Sequence, residues 1–319
     1  EYPVLSQKPY ETPQYLLEKC KMHPVVLTAV AGADHPVALE STRQAVIHGL
    51  IEPILVGDQA VINSIAKGLN WDISNFRIVH APDHNKVSAA AVALARGDEV
   101  AALMKGQVHT DDLMAAVVNR ALGLRTGRRL SHIFHMTIPE CDRVLMITDG
   151  AINVAPNTDT LINITQNSID LAHALGNFNP KVALISGTES IIESMPSSIT
   201  AAEVVKRAND GEIIEAIVDG PFALDIAISP DAANLKGIDS PVAGYADILI
   251  VPNIETGNGL FKMMTYFMSA TAAGIVMGAK VPIMLTSRAD PKEARVASAA
   301  LASIVANKSR EPKSYFPKG

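Results

Sequence analysis

Short apolar runs rich in Val, Ile and Ala recur along the chain, each bounded by turn residues and most followed by a stretch with helical spacing. PVVLTAVAG after His23, PILVGD from Pro53, FRIVHA from Phe76 and EVAALMKG from Glu99 read as buried strands. KVALIS from Lys181, EAIVDG from Glu215, ADILIVP from Ala246 and VPIMLTS from Val281 read the same way. Helical spacing predicts helices over 15–22, 37–49, 60–67, 85–96, 158–175, 200–210, 224–232, 259–278 and 291–307, with a further one starting near Asp111. This alternation predicts βαβ units and a parallel sheet. From Leu130 the texture changes. SHIFHMTIP and CDRVLMITDGAINVAP are adjacent strand patterns with no helix between them, which predicts a hairpin or a sheet edge, and Thr158 or Asp159 is the expected cap of the next helix. The polar tail SREPKSYFPKG is expected to fray.

A chain of 319 residues suits two domains or one large α/β unit, and 48% hydrophobic residues exclude a disordered chain. Few aromatics with abundant Ala, Val and Ile suit parallel sheets covered by helices. The net charge of −6 is spread out with no basic block, so nucleic-acid binding has no support. Cys20 and Cys141 show no ligand spacing and read as free thiols in a reducing compartment. No apolar run reaches the ~18 residues of a membrane span. The chain begins with Glu1, without an initiator Met or a signal-peptide pattern. Its polar start reads as a linker, as in a piece of a fusion.

The candidate chemistry gathers at strand ends. Asn253, Thr256, Gly257 and Asn258 come after ADILIVP and precede a helix, the position of the ligand crevice in parallel α/β sheets. A helix N-terminus there offers N–H groups to an anion. VPIMLTS runs into Ser287, Arg288, Ala289 and Asp290, a hydroxyl, a fixed cation and a carboxylate on one loop. MKGQVHT (104–110) puts Lys105 and Thr110 around another strand end, suited to a phosphate; a surface lysine and an N-cap threonine fit the pattern as well. Arg125, Arg128 and Arg129 surround a Thr126-Gly127 turn, which suits either bidentate phosphate binding or a solvated basic turn. His132 and His135 are three apart on a strand, hence on opposite faces and a poor metal pair. Asp149, Asp219 and Asp225 sit at strand ends, where Asp-Gly is often only a turn; Asp219 and Asp225 could instead line a crevice. The chain lacks the P-loop spacing, a convincing Gly-x-Gly-x-x-Gly after a strand, and Gly-x-Ser-x-Gly.

With these residues laid out, the chain resembles the phosphate acetyl/butyryl transferase family from about Val25 to Asn307. The resemblance is carried by MKGQVHTDDLM (104–114), LRTGRRLSHIF (124–134), DGAINVAPN (149–157), DGPFALDIAI (219–228), SPVAGYADILIVPNIETGN (240–258) and TSRAD (286–290). RTG followed by LSH and SRAD is closer to the butyryl-type branch. The polar front end is similar to proteins in which such a domain follows an enoyl-CoA hydratase-like domain. The resemblance implies a two-domain α/β fold like that of isocitrate and isopropylmalate dehydrogenases. One domain would take 1–135 and 276–319, the other 136–275, with the active site in the cleft between them. It implies a cytoplasmic homodimer acting on acyl-CoA, phosphate and acyl phosphate, with coenzyme A as substrate and no permanently bound cofactor or metal.

Ser287, Arg288 and Asp290 or Glu293 are the implied catalytic residues. Lys105, Thr110, Arg125, Thr126, Ser131, His132, Asn253, Thr256, Gly257 and Asn258 are the implied phosphate and coenzyme A contacts. One departure stands out. Acetyl-type enzymes carry an aspartate seven residues after the motif serine, where this chain has Ala294. The expected reaction is direct attack of the coenzyme A thiol on acyl phosphate, a carboxylate taking the proton, with the SRAD turn facing the Thr-Gly-Asn loop across one groove. An NAD(P)-dependent dehydrogenase of similar fold and an inactive coenzyme A- or phosphate-binding scaffold are the competing readings.

Overall fold

The computed structural model describes residues 2–310. It divides into two compact units. The flanking unit comprises Gln14–Arg125 and the chain from Lys280 onward; the central unit comprises Thr126–Ala279 and the residues up to Pro13. The divisions therefore fall after Arg125 and Ala279, rather than after 135 and 275 as expected from the sequence.

The flanking unit runs α1 (Gln14–Cys20), β1 (Val26–Ala31), α2 (Pro36–Ile47), β2 (Ile51–Gly57), α3 (Gln59–Gly68), β3 (Ile78–His80), α4 (Val87–Arg96), β4 (Ala102–Lys105) and α5 (Thr110–Val118), and resumes with β11 (Ile283–Met284) and α11 (Lys292–Arg310). Its strands lie in the order β3-β2-β1-β4-β11, all parallel. Parallel strands need crossovers, and the helices between them supply these while covering the sheet. α11 is buried along almost its whole length, from Ala294 to Asn307, and touches α1, α2, β1, β4 and β11. A helix that is apolar all round belongs inside, and the alanines let it approach the sheet closely. Register decides where the loops emerge. Ala31 pairs with Lys105 and Met104 with Met284, so β1, β4 and β11 end level and release their loops at one edge of the sheet.

The central unit contains β5 (Ser131–Thr137), β6 (Leu145–Thr148), α6 (Thr158–Ala174), β7 (Lys181–Ile185), α7 (Pro196–Asn209), β8 (Ile217–Phe222), α8 (Leu224–Ile228), α9 (Pro230–Leu235), β9 (Ile248–Ile250), α10 (Ile254–Met268) and β10 (Thr271–Met277). The strand order is β10-β5-β6-β9-β7-β8. β5 and β6 pair antiparallel, as the helix-free stretch after Leu130 predicts, β10 adds antiparallel to β5, and β6, β9, β7 and β8 pair parallel. Met136, Ile147, Leu249, Phe222 and Ile226 pack into its core, with Phe134, Leu260 and Phe261 against it.

Four expectations are corrected. The helix expected over 259–278 is two elements: α10 ends at Ser269 in the left-handed conformation (φ 51°), and β10 comes next. The small residues of TAAGIVM suit either state alone, but pairing along all of β5, from Thr271↔Thr137 to Met277↔Ser131, decides for a strand. The cap of α6 is Asn157, whose side chain accepts from the Thr160 N–H, and not Thr158 or Asp159. α7 starts a turn early, at Pro196, where a proline's missing N–H costs nothing. The helix expected over 224–232 breaks into α8 and α9 at Pro230, with Ser229 capping α9. The polar tail from 311 lies outside the described residues.

Backbone meets backbone where β1 and β4 end. Gly106 N–H donates to Ala31 O and Gln107 N–H to Gly32 O, both at 2.8 Å. Gly32 has φ +84°, and a Cβ there would lie 2.6 Å from Gln107 O. Gly32→Ala is therefore expected to destabilise the fold by about 2 kcal/mol or more, from the left-handed backbone and the clash together, read as a fall in the urea midpoint.

His135, on β5, is fully buried, and burial pushes its imidazolium down to about 4 from the ordinary 6.5. The unfolded chain takes up this proton near pH 6.5, while the native chain resists it to about pH 4. Its contribution to stability is thus complete above pH 6.5 and lost as pH falls towards 4, amounting to about 3 kcal/mol. Urea unfolding at pH 7 and pH 4.5 should show a steeper loss in the wild type than in His135→Gln.

Candidate active site

The level ends of β1, β4 and β11 bring three loops of the flanking unit to one pocket, whose lining includes His35, Ser41, Lys105, Gln107, Ser287 and Arg288, with Arg295. β11 ends at Met284 and α11 begins at Lys292, so the SRAD residues form the intervening turn. The turn is held by its own atoms. Asp290 Oδ2 accepts from the Ser287 N–H at 2.7 Å, Asp290 N–H donates to Ser287 O at 3.1 Å, and Ser287 Oγ accepts from Ala289 N–H at 3.3 Å. Ser287 and Arg288 are exposed, and Arg288 Nη2 donates to Gln107 Oε1 at 2.7 Å.

Lys105 closes β4 half-buried, with its ammonium facing the same charges. Burial pushes its pKa below the ordinary lysine value, the Arg288 guanidinium pushes it further, and Asp290 opposes both. For Asp290 burial is again the largest influence and raises the carboxyl above its ordinary value, against the Ser287 N–H, Arg295 and Lys105. Arg295, from the first turns of α11, donates from Nη1 to Ser41 Oγ at 2.9 Å. The pocket thus gathers Lys105, Arg288 and Arg295, and the partly desolvated Asp290 carboxylate lies close to Lys105 and Arg295. Such a cluster attracts an anion and holds beside it a group able to take a proton.

The remaining residues singled out from the sequence are spread over both units. Glu293 is half-buried in the first turn of α11. Ala294 is buried. Thr110 is the first residue of α5 rather than its cap; the N-cap is His109, which makes no side-chain capping bond. Arg125 is exposed at the end of the flanking unit's first segment.

In the central unit, the ends of β6, β9 and β7 are level, with Ile250 opposite both Thr148 and Leu184. The loops after β6 and β9 therefore meet. Gly257 is buried against Asp149 O, which a Cβ would approach to 2.7 Å, and Ile254 N–H donates to Val154 O. Asn253 caps α10, its Oδ1 accepting from the Thr256 N–H at 3.0 Å and from the Thr256 hydroxyl at 2.7 Å. Asn253 and Thr256 thus spend polar groups on each other, while Asn258 is half-buried. Thr126 Oγ1 donates to Gly278 O and accepts from Arg128 N–H.

Two arginines of the Thr-Gly turn are engaged by side chains of their own unit. Arg128 donates to Asn167 and Asp170, and Arg129 donates from Nε to Asn153 Oδ1. Ser131 and His132 are 0% and 1% exposed. Ser131 Oγ accepts from Asn167 Nδ2 at 2.8 Å, and the His132 ring packs on Phe134. Asp149 is likewise buried, its carboxylate accepting from the N–H groups of His132, Ala151, Ile152 and Asn153 and from Asn153 Nδ2. Its place is in the frame of the loop. Sequence reasoning does not single out Gln107, Ser41 or Arg295. Gln107 stands inside the MKGQVHT block, whereas nothing in the sequence ties Ser41 to Arg295.

The family model described as "Phosphate acetyl/butaryl transferase" matches residues 76–303. A phosphate acetyltransferase of Rickettsia prowazekii is 46% identical over 280 residues, covering 86% of this chain and 80% of the relative. A phosphate butyryltransferase of Clostridium acetobutylicum is 42% identical over 291 residues, covering 91% of this chain and 97% of the relative. The crystal structure of a branched-chain phosphotransacylase from Enterococcus faecalis superposes with a TM-score of 0.77 at 33% identity, covering 88% of this chain and 99% of that one. With the family match spanning most of the chain, and two such relatives aligned along nearly all of it, the chain belongs to the phosphate acetyl/butaryl transferase family.

Proposed function

We propose that the protein transfers a short acyl group, acetyl or butyryl, reversibly between coenzyme A and inorganic phosphate. Family membership supports acyl transfer over the dehydrogenase and scaffold readings. The observation that carries the chemistry is the pocket lined by Lys105, Arg288 and Arg295, with Asp290 close to Lys105 and Arg295. In the direction of acyl-CoA synthesis, the coenzyme A sulfur attacks the carbonyl carbon of the acyl phosphate. The C–S bond forms, the bond from that carbon to the phosphate oxygen breaks, and inorganic phosphate leaves. The thiol proton passes to Asp290, with Glu293 as the alternative acceptor. A free thiol, with a pKa of ~8.5, is mostly protonated near neutral pH, so a base within reach accelerates the attack.

Arg288 neutralises the phosphate, and the exposed Ser287 hydroxyl donates to the phosphate or to the carbonyl oxygen. Lys105 adds positive charge on the phosphate side. Thr110, Arg125, Thr126, Ser131, His132, Asn253, Thr256, Gly257 and Asn258 are the binding residues, those held in caps and turns or buried acting through the backbone they shape. Among the described residues, no helix is long and apolar enough to cross a membrane. The free thiols Cys20 and Cys141 support a cytoplasmic setting. The exposed Met263, Tyr266, Phe267 and Met268 of α10 offer an apolar face that supports assembly as a homodimer.

Arg288→Ala is expected to lower kcat/KM by 10²-fold or more, an order-of-magnitude figure for losing one placed charge, measured as thiol release from acetyl-CoA or butyryl-CoA with phosphate. Activity near that of the wild type would remove Arg288 from the reaction. A protonated carboxyl accepts no proton, so kcat/KM falls as pH drops through the raised pKa of Asp290. That acid limb should be absent from the pH profile of Asp290→Asn, which retains an oxygen for the Ser287 N–H. If the limb persists there and vanishes in Glu293→Gln, Glu293 is the base.

A further inference from the structure

Arg288 is an exposed cation on a surface turn, and a long flexible side chain in that position has many conformations open to it. It also shares the pocket with Lys105, whose ammonium it depresses, so the two like charges favour separation. Its Nη2 is nevertheless held at 2.7 Å from Gln107 Oε1. Gln107 is an unusually firm anchor. Its own N–H is bonded to Gly32 O, and Gly106 before it to Ala31 O, so the residue is fixed to the end of β1. The contact between Gly32 and Gln107 is too close for a side chain at position 32. The acceptor is also neutral. A carboxylate in the same place would hold the guanidinium equally well but cancel the charge needed for an anion.

We propose that Gln107 is a positioning residue: its carboxamide oxygen aims the Arg288 guanidinium into the pocket while leaving the positive charge free for the phosphate group of the substrate. The inference rests on the reading of Arg288 as the cation that meets phosphate. Gln107 itself acts through Arg288.

The test uses Gln107→Leu, Gln107→Glu, Arg288→Ala and the double variant Gln107→Leu/Arg288→Ala, assayed with inorganic phosphate and butyryl-CoA. Leucine removes the acceptor at similar size, and the backbone bonds that fix position 107 do not use its side chain. Gln107→Leu should lower kcat/KM for phosphate about tenfold, as expected for one hydrogen bond to a charged group, with the KM for butyryl-CoA unchanged. On the Arg288→Ala background the same substitution should add less than twofold. Gln107→Glu should be impaired towards phosphate as strongly as Gln107→Leu or more. If Arg288→Ala is impaired and Gln107→Leu is not, positioning by Gln107 is refuted while the reading of Arg288 stands. If Arg288→Ala retains full activity, both fall. An equal loss with and without Arg288 would make Gln107 merely structural, and a fully active Gln107→Glu would refute the need for a neutral acceptor.

Discussion

The flanking unit's pocket depends on the close approach of two backbones where β1 and β4 end. Parallel pairing brings Ala31 level with Lys105, and the chain beyond each strand must then turn within the space left by the other. Glycine occupies both crossing points: a Cβ on Gly106 would lie 2.3 Å from Gly32 O, and one on Gly32 2.6 Å from Gln107 O. With no side chains between them, the loops exchange N–H···O bonds at 2.8 Å and behave as one piece of framework. Lys105 and Gln107, on either side of Gly106, inherit their positions from that framework. β11 adds the SRAD turn by the same pairing rule, Met284 lying level with Met104. Secondary-structure register, rather than any single side-chain contact, is what assembles the pocket.

The electrostatics of the pocket turn on which of two opposing effects is larger. A carboxylate beside cations is ordinarily held below its usual pKa, and Asp290 has Lys105 and Arg295 near it together with a hydrogen bond from the Ser287 N–H. Its pKa is nevertheless raised, so the loss of water around the carboxylate outweighs the favourable charges. The same loss of water lowers Lys105, where the neighbouring guanidinium acts in concert with it. Both shifts narrow the gap between charged and neutral forms. A bound phosphate would add negative charge, stabilising the cations and making Asp290 still more ready to hold a proton. The protonation of Asp290 and the binding of an anion beside Lys105 would thereby be coupled.

Much of this architecture is legible in the amino-acid order because burial leaves a periodic trace. The parallel strands show as short β-branched runs, and α11 shows as an alanine-rich stretch after the SRAD turn. The segment 271–277 leaves no such trace, since its small residues fit a helix as readily as a strand and only the pairing with β5 selects between them. Side-chain roles are less legible still. Asn157 and Asn253 look alike on paper, as polar residues before helices, and both are caps. The SRAD turn is recognisable because its chemistry is contiguous. Gln107 and Arg288 are 181 positions apart, and Ser41 and Arg295 are 254 apart, so their contacts exist only once β1, β4, β11 and α2 are in place.

The same packing bears on why the carboxylate belongs to the turn and not to the helix. Position 294, where the resemblance to acetyl-type enzymes leads one to expect an acid, is an alanine buried at the start of α11, continuous with the apolar residues that fix this helix to the sheet. An ionised group placed there would need water or a partner to offset its desolvation, which an alanine does not. Asp290 meets the requirement differently. It stands before the helix, half-buried, with one oxygen already accepting the Ser287 N–H. The bond that orients the carboxylate also closes the turn carrying Arg288, so carboxylate and cation are placed by one local structure. Such an arrangement keeps the two charged groups together while the helix behind them is free to be optimised for packing alone.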